Sequence, residues 1–484
     1  MTGLIVDLFA GGGGASVGIE AALGRPVDVA VNHDPVALAV HAANHPDTEH
    51  LTSDIWEVKP VQATRGKPVD LLWASPDCTH HSNAKGGKPR DQGIRSLAWV
   101  VTRWARAVRP SIICVENVPE FRSWGPLGAD GRPVKARRSQ TFTRWVRSLQ
   151  RLGYVVEHRV LDAAAYGAPT RRRRVFVVAR RDGLPVRWPE PTHGPGTLPY
   201  STAAQCIDWS LPCPSIFGRK RPLAEKTLWR VAQGIRKFVF ETATPFVVNV
   251  GGRGPAVATL QQSGYGERPG QSARVPGLDR PIGTLVNGQK HALVAAYLAK
   301  HFGDPLRTDK QPVLGVDLRG PMGTITAADH HSPVAVTLAH FRGHPDGGHS
   351  GCADPREPLP TISAGGNRGG VHVAEVRAFL TAYYGSDGTG GQQLLEPMRT
   401  LTARHRLGLV AVEGVDYQIT DIGLRMLQPH ELLRAQFGRF AEGYDLSSAT
   451  TKRDQIRLIG NSVAPEVAEA LLRANLPDAE VCAA

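Results

Sequence analysis

Short runs of consecutive apolar residues alternate with helix-like patterns through the first 180 residues. Runs of this kind are typical of strands that are buried on both faces of a sheet. The predicted strands are Leu4–Leu8, Val27–Val31, Asp70–Ala74, Ser111–Val115 and Arg174–Ala179. The predicted helices of this region are Ala15–Leu23 and Pro35–Asn44. The alternation predicts an α/β domain with a parallel or mostly parallel sheet and helices on both of its faces.

A region rich in Gly and Pro begins near Trp188–Pro191 and extends to about residue 418. Four Pro-x-x-Thr units recur within it at about 40-residue spacing, and they begin at Pro281, Pro321, Pro358 and Pro397. A period of this length indicates stacked supersecondary units, with chance recurrence of turn residues as the alternative. We expect this region to be mainly β.

Helical patterns return after the Gly- and Pro-rich region, at Pro429–Phe437 and Pro465–Ala474. The chain is too long for one small domain, so that each part is expected to bury a core of its own. We therefore predict a first domain over residues 1–190, an inserted domain over 191–418, and a C-terminal segment over 419–484 that returns to the first domain.

The formal net charge of +13 points to a polyanionic partner such as nucleic acid, although a basic protein without such a partner has the same charge. No run of about 18 apolar residues predicts a membrane span, and no secretory leader is visible. The six cysteines include no Cys-x-x-Cys pair. We therefore expect no disulfide framework, no metal site, and a location in the reducing cytoplasm.

Residues that could bind a ligand follow several of the predicted strands. Four consecutive glycines, Gly11–Gly14, come after the first strand and allow the backbone to approach a ligand closely, although a plain tight turn has the same pattern. A phosphate-binding loop is disfavoured because no Gly-Lys-Ser/Thr ending follows. Asp34 ends the second strand, where an acid suits ribose hydroxyls, and Asp54 with Ile55 follows a further short strand.

Cys78 and Glu116 follow the next two predicted strands. A cysteine just past a strand end, on a Ser/Pro turn, is placed like a nucleophile, whereas Cys114 lies inside an apolar run and is expected to pack. Glu116 is placed to act as a general acid or to bind the edge of a base. Its alternative role is to cap a helix N-terminus.

Four consecutive arginines, at positions 171–174, precede the last predicted strand. Alternate residues of a strand face the same side, so Arg172 and Arg174 are expected to share one face. A solvated run of charge is the alternative to a functional one.

In this order, the motifs resemble those of the bacterial and phage DNA (cytosine-5)-methyltransferases. The resemblance covers about residues 3–181 and 419–475, and Gly460–Pro465 matches the closing motif of the family. It implies a Rossmann-like, doubly wound methyltransferase domain with a large inserted target-recognition domain. It also implies S-adenosyl-L-methionine as methyl donor, no metal, double-stranded DNA as substrate, a cognate restriction endonuclease as partner, and a monomer.

The resemblance further implies a role for each matched residue. Cys78 attacks C6 of a flipped-out cytosine as a thiolate, which makes C5 nucleophilic enough to accept the methyl group. Glu116 binds N3 and the exocyclic amine, Arg174 holds O2, and Arg172 supports the cysteine loop or a phosphate. Cofactor contacts are implied for Phe9, Gly11, Gly12, Gly14, Asp34, Asp54, Ile55, Pro76, Asn461 and Ser462.

Two departures from the family pattern concern the reaction centre that the resemblance implies. Asp77 separates Pro76 from Cys78, whereas the cysteine usually follows the proline directly, and the insertion changes the aim of the thiol. His33 stands where the ribose-binding acid is usual, so Asp34 is expected to substitute for it.

Two further departures concern supporting contacts. Thr170 stands two residues before Arg172 in place of a glutamine, which changes a supporting hydrogen bond. Gln436–Arg439 replaces the family's Gln-Gly-Phe-Pro, which changes a packing surface.

Two other functions remain open from the sequence. An RNA cytosine-5 methyltransferase would use related chemistry, but the long inserted region favours the reading of duplex DNA. A non-catalytic DNA-binding protein could share the scaffold, but the intact Cys78, Glu116 and Arg174 argue against it. If the insert reads DNA, the side chains suited to phosphate and base-edge contacts are Arg253, Arg280, Asn287, His291, Arg368 and Arg404.

Overall fold

The computed structural model describes residues 2–77, 96–217, 219–242, 245–263, 271–300, 338–339, 352–353, 409–412 and 415–476. Cys78 and the repeat units that begin at Pro321, Pro358 and Pro397 lie outside the described residues. The chain divides into two compact units. The first comprises Met1–Ile207, Leu278–Lys290 and Leu427–Ala484, and the second comprises Asp208–Gly277 and His291–Met426.

A seven-stranded sheet forms the centre of the first unit. Its strands are β1 (Leu4–Leu8), β2 (Val29–Asn32), β3 (Glu49–Thr52), β4 (Val69–Ala74), β5 (Ile112–Asn117), β6 (Val155–Asp162) and β7 (Arg173–Arg180). They lie in the order β3-β2-β1-β4-β5-β7-β6, and β7 runs in the direction opposite to the other six strands. The predicted mostly parallel sheet is therefore confirmed.

Helices cover both faces of this sheet. The α-helices of the described residues are numbered in chain order, and all but α6 belong to the first unit. They are α1 (Gly14–Leu23), α2 (Pro35–Asn44), α3 (Pro60–Ala63), α4 (Trp99–Val108), α5 (Gln140–Gln150), α6 (Glu225–Ile235), α7 (Pro429–Phe437), α8 (Lys452–Asn461) and α9 (Pro465–Asn475). Helices α1 and α9 pack on the face that bears Ile5, and α4 and α5 pack on the face that bears Val6. None of the described helices has the length and apolarity that crossing a membrane requires.

Local signals account for some of these elements and not for others. Helices α2 and α7 have the predicted bounds, and each begins with a proline, which is favoured at the first helical position. Strand β6 and helices α4 and α5 were not predicted. Strand β6 lies at the edge of the sheet, and most of its first five residues are exposed, so it carries no apolar run that would reveal it.

The second unit contains a five-stranded sheet whose neighbouring strands are all antiparallel. In the order β11-β12-β10-β9-β8, its strands are Leu409–Val412, Val415–Met426, His291–Lys300, Pro255–Gln262 and Val247–Asn249. Helix α6 packs Val231 and Ile235 into an apolar cluster with residues of this sheet. A short pair, Leu338–Ala339 with Cys352–Ala353, adds to the mainly β character that the sequence predicted.

The segment Leu278–Lys290 belongs to the first unit, although it lies within the region 191–418 that we expected to form one domain. Its strand Ile282–Gly283 pairs in parallel with Thr170–Arg171, and Thr284 Oγ1 donates a hydrogen bond to the carbonyl of Arg171 at 2.7 Å. These contacts join segments 113 residues apart in sequence, so no local pattern predicts them.

Candidate active site

The order of the strands reverses between β1 and β4, because β2 and β3 lie on one side of this pair and β5 lies on the other. In open α/β sheets, ligands bind in the crevice beyond the carboxyl ends of the strands at such a reversal. The glycine loop follows β1, Pro76 follows β4, and Glu116 lies near the end of β5. The structure therefore brings the strand-end motifs of the sequence to one edge of the sheet.

The loop after β1 turns sharply and lies close to the C-terminal segment. Phe9 (φ 61°), Gly11 (φ 57°) and Gly13 (φ 100°) have left-handed backbone conformations, which are strained for a bulky residue such as Phe9. A Cβ atom at Gly14 would overlap Ser462 Oγ and the carbonyl of Val463. Glycine at position 14 therefore allows residues 460–465, here called the closing segment, to pack against the start of α1.

Arg172 contacts the backbone of this closing segment rather than facing solvent. It is 4% exposed, and its Nη1 donates hydrogen bonds to the carbonyls of Gly460 at 3.0 Å and Leu285 at 3.4 Å. Gln436, in the stretch that departs from the family pattern, donates to the carbonyl of Ser462 at 2.9 Å. Two side chains thus position the Gly460–Ser462 backbone beside the glycine loop.

Asp34 and His33 differ in how they are held at the end of β2. Asp34 caps α2, with Oδ1 accepting from the amide of Val36 at 3.0 Å and Oδ2 from Arg457 Nη1 at 2.5 Å. Burial by itself raises the pKa of Asp34, but the hydrogen bond and charge of Arg457 outweigh burial and lower this pKa. Both oxygens of Asp34 are therefore engaged, whereas His33 is exposed.

The residues that follow β3 include the acidic Asp54 and the apolar Ile55 and Trp56. Ile55 is 6% exposed, and Asp54 is exposed and accepts a hydrogen bond from the amide of Trp56 at 2.9 Å. Trp56, which the sequence motifs did not single out, is 42% exposed. Asn461 is also exposed. Its neighbour Ser462 is buried.

Glu116 and Arg174 form a buried ion pair at the end of β5. The distance between Arg174 Nε and Glu116 Oε1 is 3.0 Å, and their side chains are 12% and 9% exposed. The buried Asn117 donates from Nδ2 to the carbonyl of Pro76 at 3.0 Å. Pro76 is buried and precedes Cys78 by two residues, so this hydrogen bond holds the start of the cysteine loop next to the ion pair.

Asp7 is a buried carboxylate to which the sequence motifs assigned no role. Ser16 Oγ donates to Asp7 Oδ2 at 2.9 Å and lies 3.0 Å from His41 Nε2, and His41 Nδ1 lies 2.8 Å from His50 Nε2. Within the described residues, Asp7 Oδ1 has no hydrogen-bond partner. Burial raises the pKa of Asp7 to about 7, against the opposing effect of the Ser16 hydrogen bond. The burial results from the packing of α1 and α2, which no local motif shows.

Three histidines lie together beside this carboxylate. The centroid of the His41 ring lies 4.4 Å from that of the His45 ring and 4.9 Å from that of the His50 ring. Burial, followed by the proximity of His45 and His50, lowers the pKa of His41 well below its usual value, so His41 is neutral near pH 7. In the part of the chain that the structure describes, no group of three or more ligating side chains is arranged to hold a metal ion.

Replacing Asp7 with asparagine should stabilise the protein at pH 8 and have little effect at pH 4.5. The pKa of Asp7 in the folded protein, about 7, lies above the ordinary 3.8. The protonated carboxyl group therefore makes its full contribution to the free energy of unfolding below pH 3.8, and this contribution is lost as the pH rises through 7. Asparagine still accepts from Ser16 but does not ionise. Thermal unfolding should show the Asp7→Asn midpoint rising above wild type by about 5 °C or more at pH 8.

The difference between variant and wild type reports on Asp7, because the substitution removes this one ionisable carboxyl group and leaves the rest of the sequence unchanged. Asp130→Asn, at an exposed carboxylate, serves as the matched control and should leave the midpoint unchanged at either pH. A constant difference between the Asp7→Asn and wild-type midpoints at pH 4.5 and 8 would contradict the raised pKa.

One residue that we expected to contact DNA has a structural role instead. His291 is 2% exposed, and burial lowers its pKa to about 4, so it is a neutral core residue and presents no edge to a groove. Arg253 pairs with Asp421 at 2.7 Å and lies over the ring of Tyr297, but its side chain is 42% exposed, so its contact with DNA stays a prediction. The other expected residues are either exposed (Arg280 and Asn287) or outside the described residues (Arg368 and Arg404).

Comparisons with known proteins identify relatives of this chain. The family described as "C-5 cytosine-specific DNA methylase" matches residues 4–205. The type II methyltransferase M.AquIA of Picosynechococcus sp. is 31% identical over 196 residues, or 40% of this chain and 77% of that protein. M.SacI of Streptomyces achromogenes is 33% identical, over 39% of this chain and 50% of that protein. M.AgeI of Thalassovita gelatinovora is 32% identical, over 39% of this chain and 42% of that protein. This chain therefore spans about half the length of these two relatives or less.

Solved structures provide more distant likenesses. DNMT2 of Spodoptera frugiperda is 21% identical with a TM-score of 0.35, covering 47% of this chain and 64% of that one. The Dnmt2 methyltransferase of S. pombe is 19% identical with a TM-score of 0.31, covering 43% and 61%. The family match includes the glycine loop, Cys78, Glu116 and Arg174. Together with the coverage of M.AquIA, this match shows that the chain belongs to the C-5 cytosine-specific DNA methylase family.

Proposed function

We propose that this chain transfers a methyl group from S-adenosyl-L-methionine to C5 of cytosine in double-stranded DNA. The buried Glu116–Arg174 ion pair beside the Asn117–Pro76 hydrogen bond is the observation that carries the proposal. The carboxyl group of Glu116 can form hydrogen bonds with N3 and the exocyclic amine of cytosine, and the adjacent guanidinium of Arg174 can donate to O2. The same edge holds the start of the loop that leads to Cys78.

In the proposed reaction, the Cys78 thiolate adds to C6 of the cytosine. The carboxyl group of Glu116 donates a proton or hydrogen bond to N3, which draws electrons into the ring and makes C5 an enamine carbon. C5 takes the methyl group, a base removes the C5 proton, and elimination restores the C5–C6 double bond and releases Cys78. Arg174 holds O2 and, through its ion pair, orients the Glu116 carboxylate.

The residues around the crevice fit S-adenosyl-L-methionine, which supplies an electrophilic methyl group when bound. Gly11 has no side chain to block the approach of a ligand to the backbone after β1. The half-exposed Trp56 offers an apolar surface, and the exposed Asp54 offers a carboxylate for the adenosine part, next to the buried Ile55 of the proposed set. Asn461 lies on the closing segment that packs against α1. Phe9, Gly12, Gly14, Pro76 and Ser462 complete the proposed set, with Asp34 or His33 at the ribose.

Access to the cytosine requires that it leave the duplex, at a cost of a few kcal/mol that contacts with the protein offset. We assign recognition of the target sequence to the region 191–418, because the proposed catalytic residues lie outside it. A monomer in the cytoplasm, associated with a cognate restriction endonuclease, is consistent with the type II methyltransferases among its relatives.

Methyl incorporation into different nucleic acids tests the proposed function. The purified protein would be incubated with tritiated S-adenosyl-L-methionine and either unmethylated bacterial genomic DNA or tRNA. We expect label in DNA as 5-methylcytosine, at least about 100-fold above the label in tRNA, a ratio that corresponds to about 2.7 kcal/mol. Preferential labelling of tRNA would favour the RNA methyltransferase, and cofactor binding without labelling of either substrate would favour the non-catalytic DNA-binding protein.

A further inference from the structure

A strongly basic segment of the second unit lies outside the region matched by the family. Residues 219–237, here called the basic segment, contain seven Lys or Arg residues and a single acidic residue, Glu225. They comprise the approach to α6, the helix itself and the first residues after it. This concentration of charge has no part in the proposed chemistry, since all residues assigned to it belong to the first unit.

Helix α6 is amphipathic, and its packing determines which side chains of the basic segment face solvent. Val231 and Ile235 are buried against the sheet, and a Cβ atom at Gly234 would lie 3.2 Å from Thr259 Cγ2, so the helix lies close to β9. Lys226, Trp229 and Gln233, at spacings of three and four residues, lie along the other face, and Lys237 follows in the π-helical turn Arg236–Phe240. Lys226 and Lys237 are exposed, and Trp229 is 37% exposed.

The exposed cations of the basic segment are largely uncompensated. Arg219, Lys220 and Arg221 are exposed before the helix, and Lys226 follows at its start. Within the residues that the structure describes, none of these four forms an ion pair, whereas Arg236 pairs with Glu241 at 2.6 Å. Four exposed cations on one short segment, none in an ion pair with another described residue, repel one another and are favourably placed for a polyanion.

The length of the solvent-facing stripe suits a nucleic-acid backbone. Helix α6 contains eleven residues, so it is about 16 Å long at a rise of 1.5 Å per residue, with Lys226 in its first turn and Lys237 two residues past its end. Duplex DNA carries roughly nine charges over that length, at one per 1.7 Å of its axis. The exposed Trp229 between the two lysines offers a flat apolar surface for sugars or bases, as aromatic residues do in nucleic-acid interfaces.

We propose that the basic segment binds the phosphate backbone of duplex DNA independently of sequence. Arg219, Lys220, Arg221 and Lys226 contact phosphates, and Trp229 packs on the sugar–phosphate chain. Contacts of this kind position a duplex without reading its bases. The segment therefore supplies affinity, and other residues of the insert select the methylated site. This inference rests on the proposed function for the identity of the polyanion.

The test compares two full-length variants in which four cations are neutralised. One carries Arg219→Gln, Lys220→Gln, Arg221→Gln and Lys226→Gln. The matched control removes four exposed cations of the first unit through Lys67→Gln, Arg144→Gln, Arg147→Gln and Arg151→Gln. Binding of a 30-base-pair duplex of mixed sequence is measured by fluorescence anisotropy between about 50 and 200 mM salt, a range over which phosphate contacts determine the affinity.

We expect the basic-segment variant to bind the duplex about 10-fold or more weakly, with the slope of log K against log salt reduced by about 2 to 4. Its thermal midpoint and its affinity for S-adenosyl-L-methionine should match wild type. The control variant should keep most of the wild-type slope. Trp229→Ala should weaken binding about 5-fold or more, and Trp229→Phe should restore most of it because a flat ring remains.

Three results would overturn the proposal. The first is a wild-type salt slope in the basic-segment variant, and the second is an equal loss in the control variant, which would show an effect of overall charge. The third is loss of binding only to vesicles of phosphatidylserine and phosphatidylcholine, with DNA binding intact. Failure of the proposed function would look different, because wild-type protein would then bind the duplex with a steep slope but incorporate no methyl group.

Discussion

Replacing Cys78 with alanine should abolish methyl transfer while leaving DNA binding close to wild type. The proposed step needs a thiolate, and alanine removes the only atom that forms the bond to C6. Duplex DNA carrying 5-fluorocytosine at the target should trap wild-type protein covalently, because fluorine at C5 cannot leave as a proton does. Denaturing gels should show the trapped complex with wild type and none with Cys78→Ala.

Three buried cysteines of the described residues provide a matched control for this experiment. Burial raises the pKa values of Cys114, Cys206 and Cys213 to about 12, so these residues remain thiols at neutral pH and are poor nucleophiles. Cys206→Ala should therefore trap 5-fluorocytosine DNA as wild type does. Trapping that persists in Cys78→Ala would show that another residue attacks C6.

Replacing Glu116 with glutamine should lower kcat by about 100- to 1000-fold, with a small change in KM for DNA. Glutamine keeps the shape of the side chain but cannot share a proton with N3, and loss of one contact of this kind in the transition state costs roughly 3–4 kcal/mol. The change also removes the charge that pairs with Arg174 at 3.0 Å. Single-turnover rates at saturating cofactor would measure the effect on the chemical step.

The control for this variant is Glu57→Gln, at an exposed glutamate of the same unit, which should leave kcat unchanged. Arg174→Lys should lose less activity than Arg174→Ala, because lysine retains the charge but not the planar guanidinium. Turnover of Glu116→Gln near the wild-type rate would remove Glu116 from the mechanism. A loss confined to KM would instead assign it to substrate binding alone.

Local patterns identified several elements because their physical causes are local. Apolar runs predicted β1, β4 and β5, since strands that are covered on both faces lack polar positions. Proline at the first position predicted where α2 and α7 begin. The glycine loop and Glu116 could be placed at strand ends for the same reason, because those ends follow directly from the apolar runs.

The contacts that shape the site arise between segments far apart in the chain. The hydrogen bond from Arg172 to the Gly460 carbonyl joins residues 288 positions apart, so nothing near Arg172 reveals it. Asn117 could be singled out only through its place beside Glu116, and its bond to Pro76 depends on β4 and β5 being neighbours. His291 carries the polar side chain of a surface residue, yet its position in the sheet buries it.

The sequence by itself determined the mostly parallel α/β core and which residues follow its strands, because hydrophobic periodicity and turn residues act over a few positions. Only the tertiary structure decided the strand order that places Glu116 next to Arg174, the return of Leu278–Lys290 to the first unit, and the burial that raises the pKa of Asp7. Burial and long-range pairing depend on which distant segments exclude water from a group, and this is settled only when the whole chain packs.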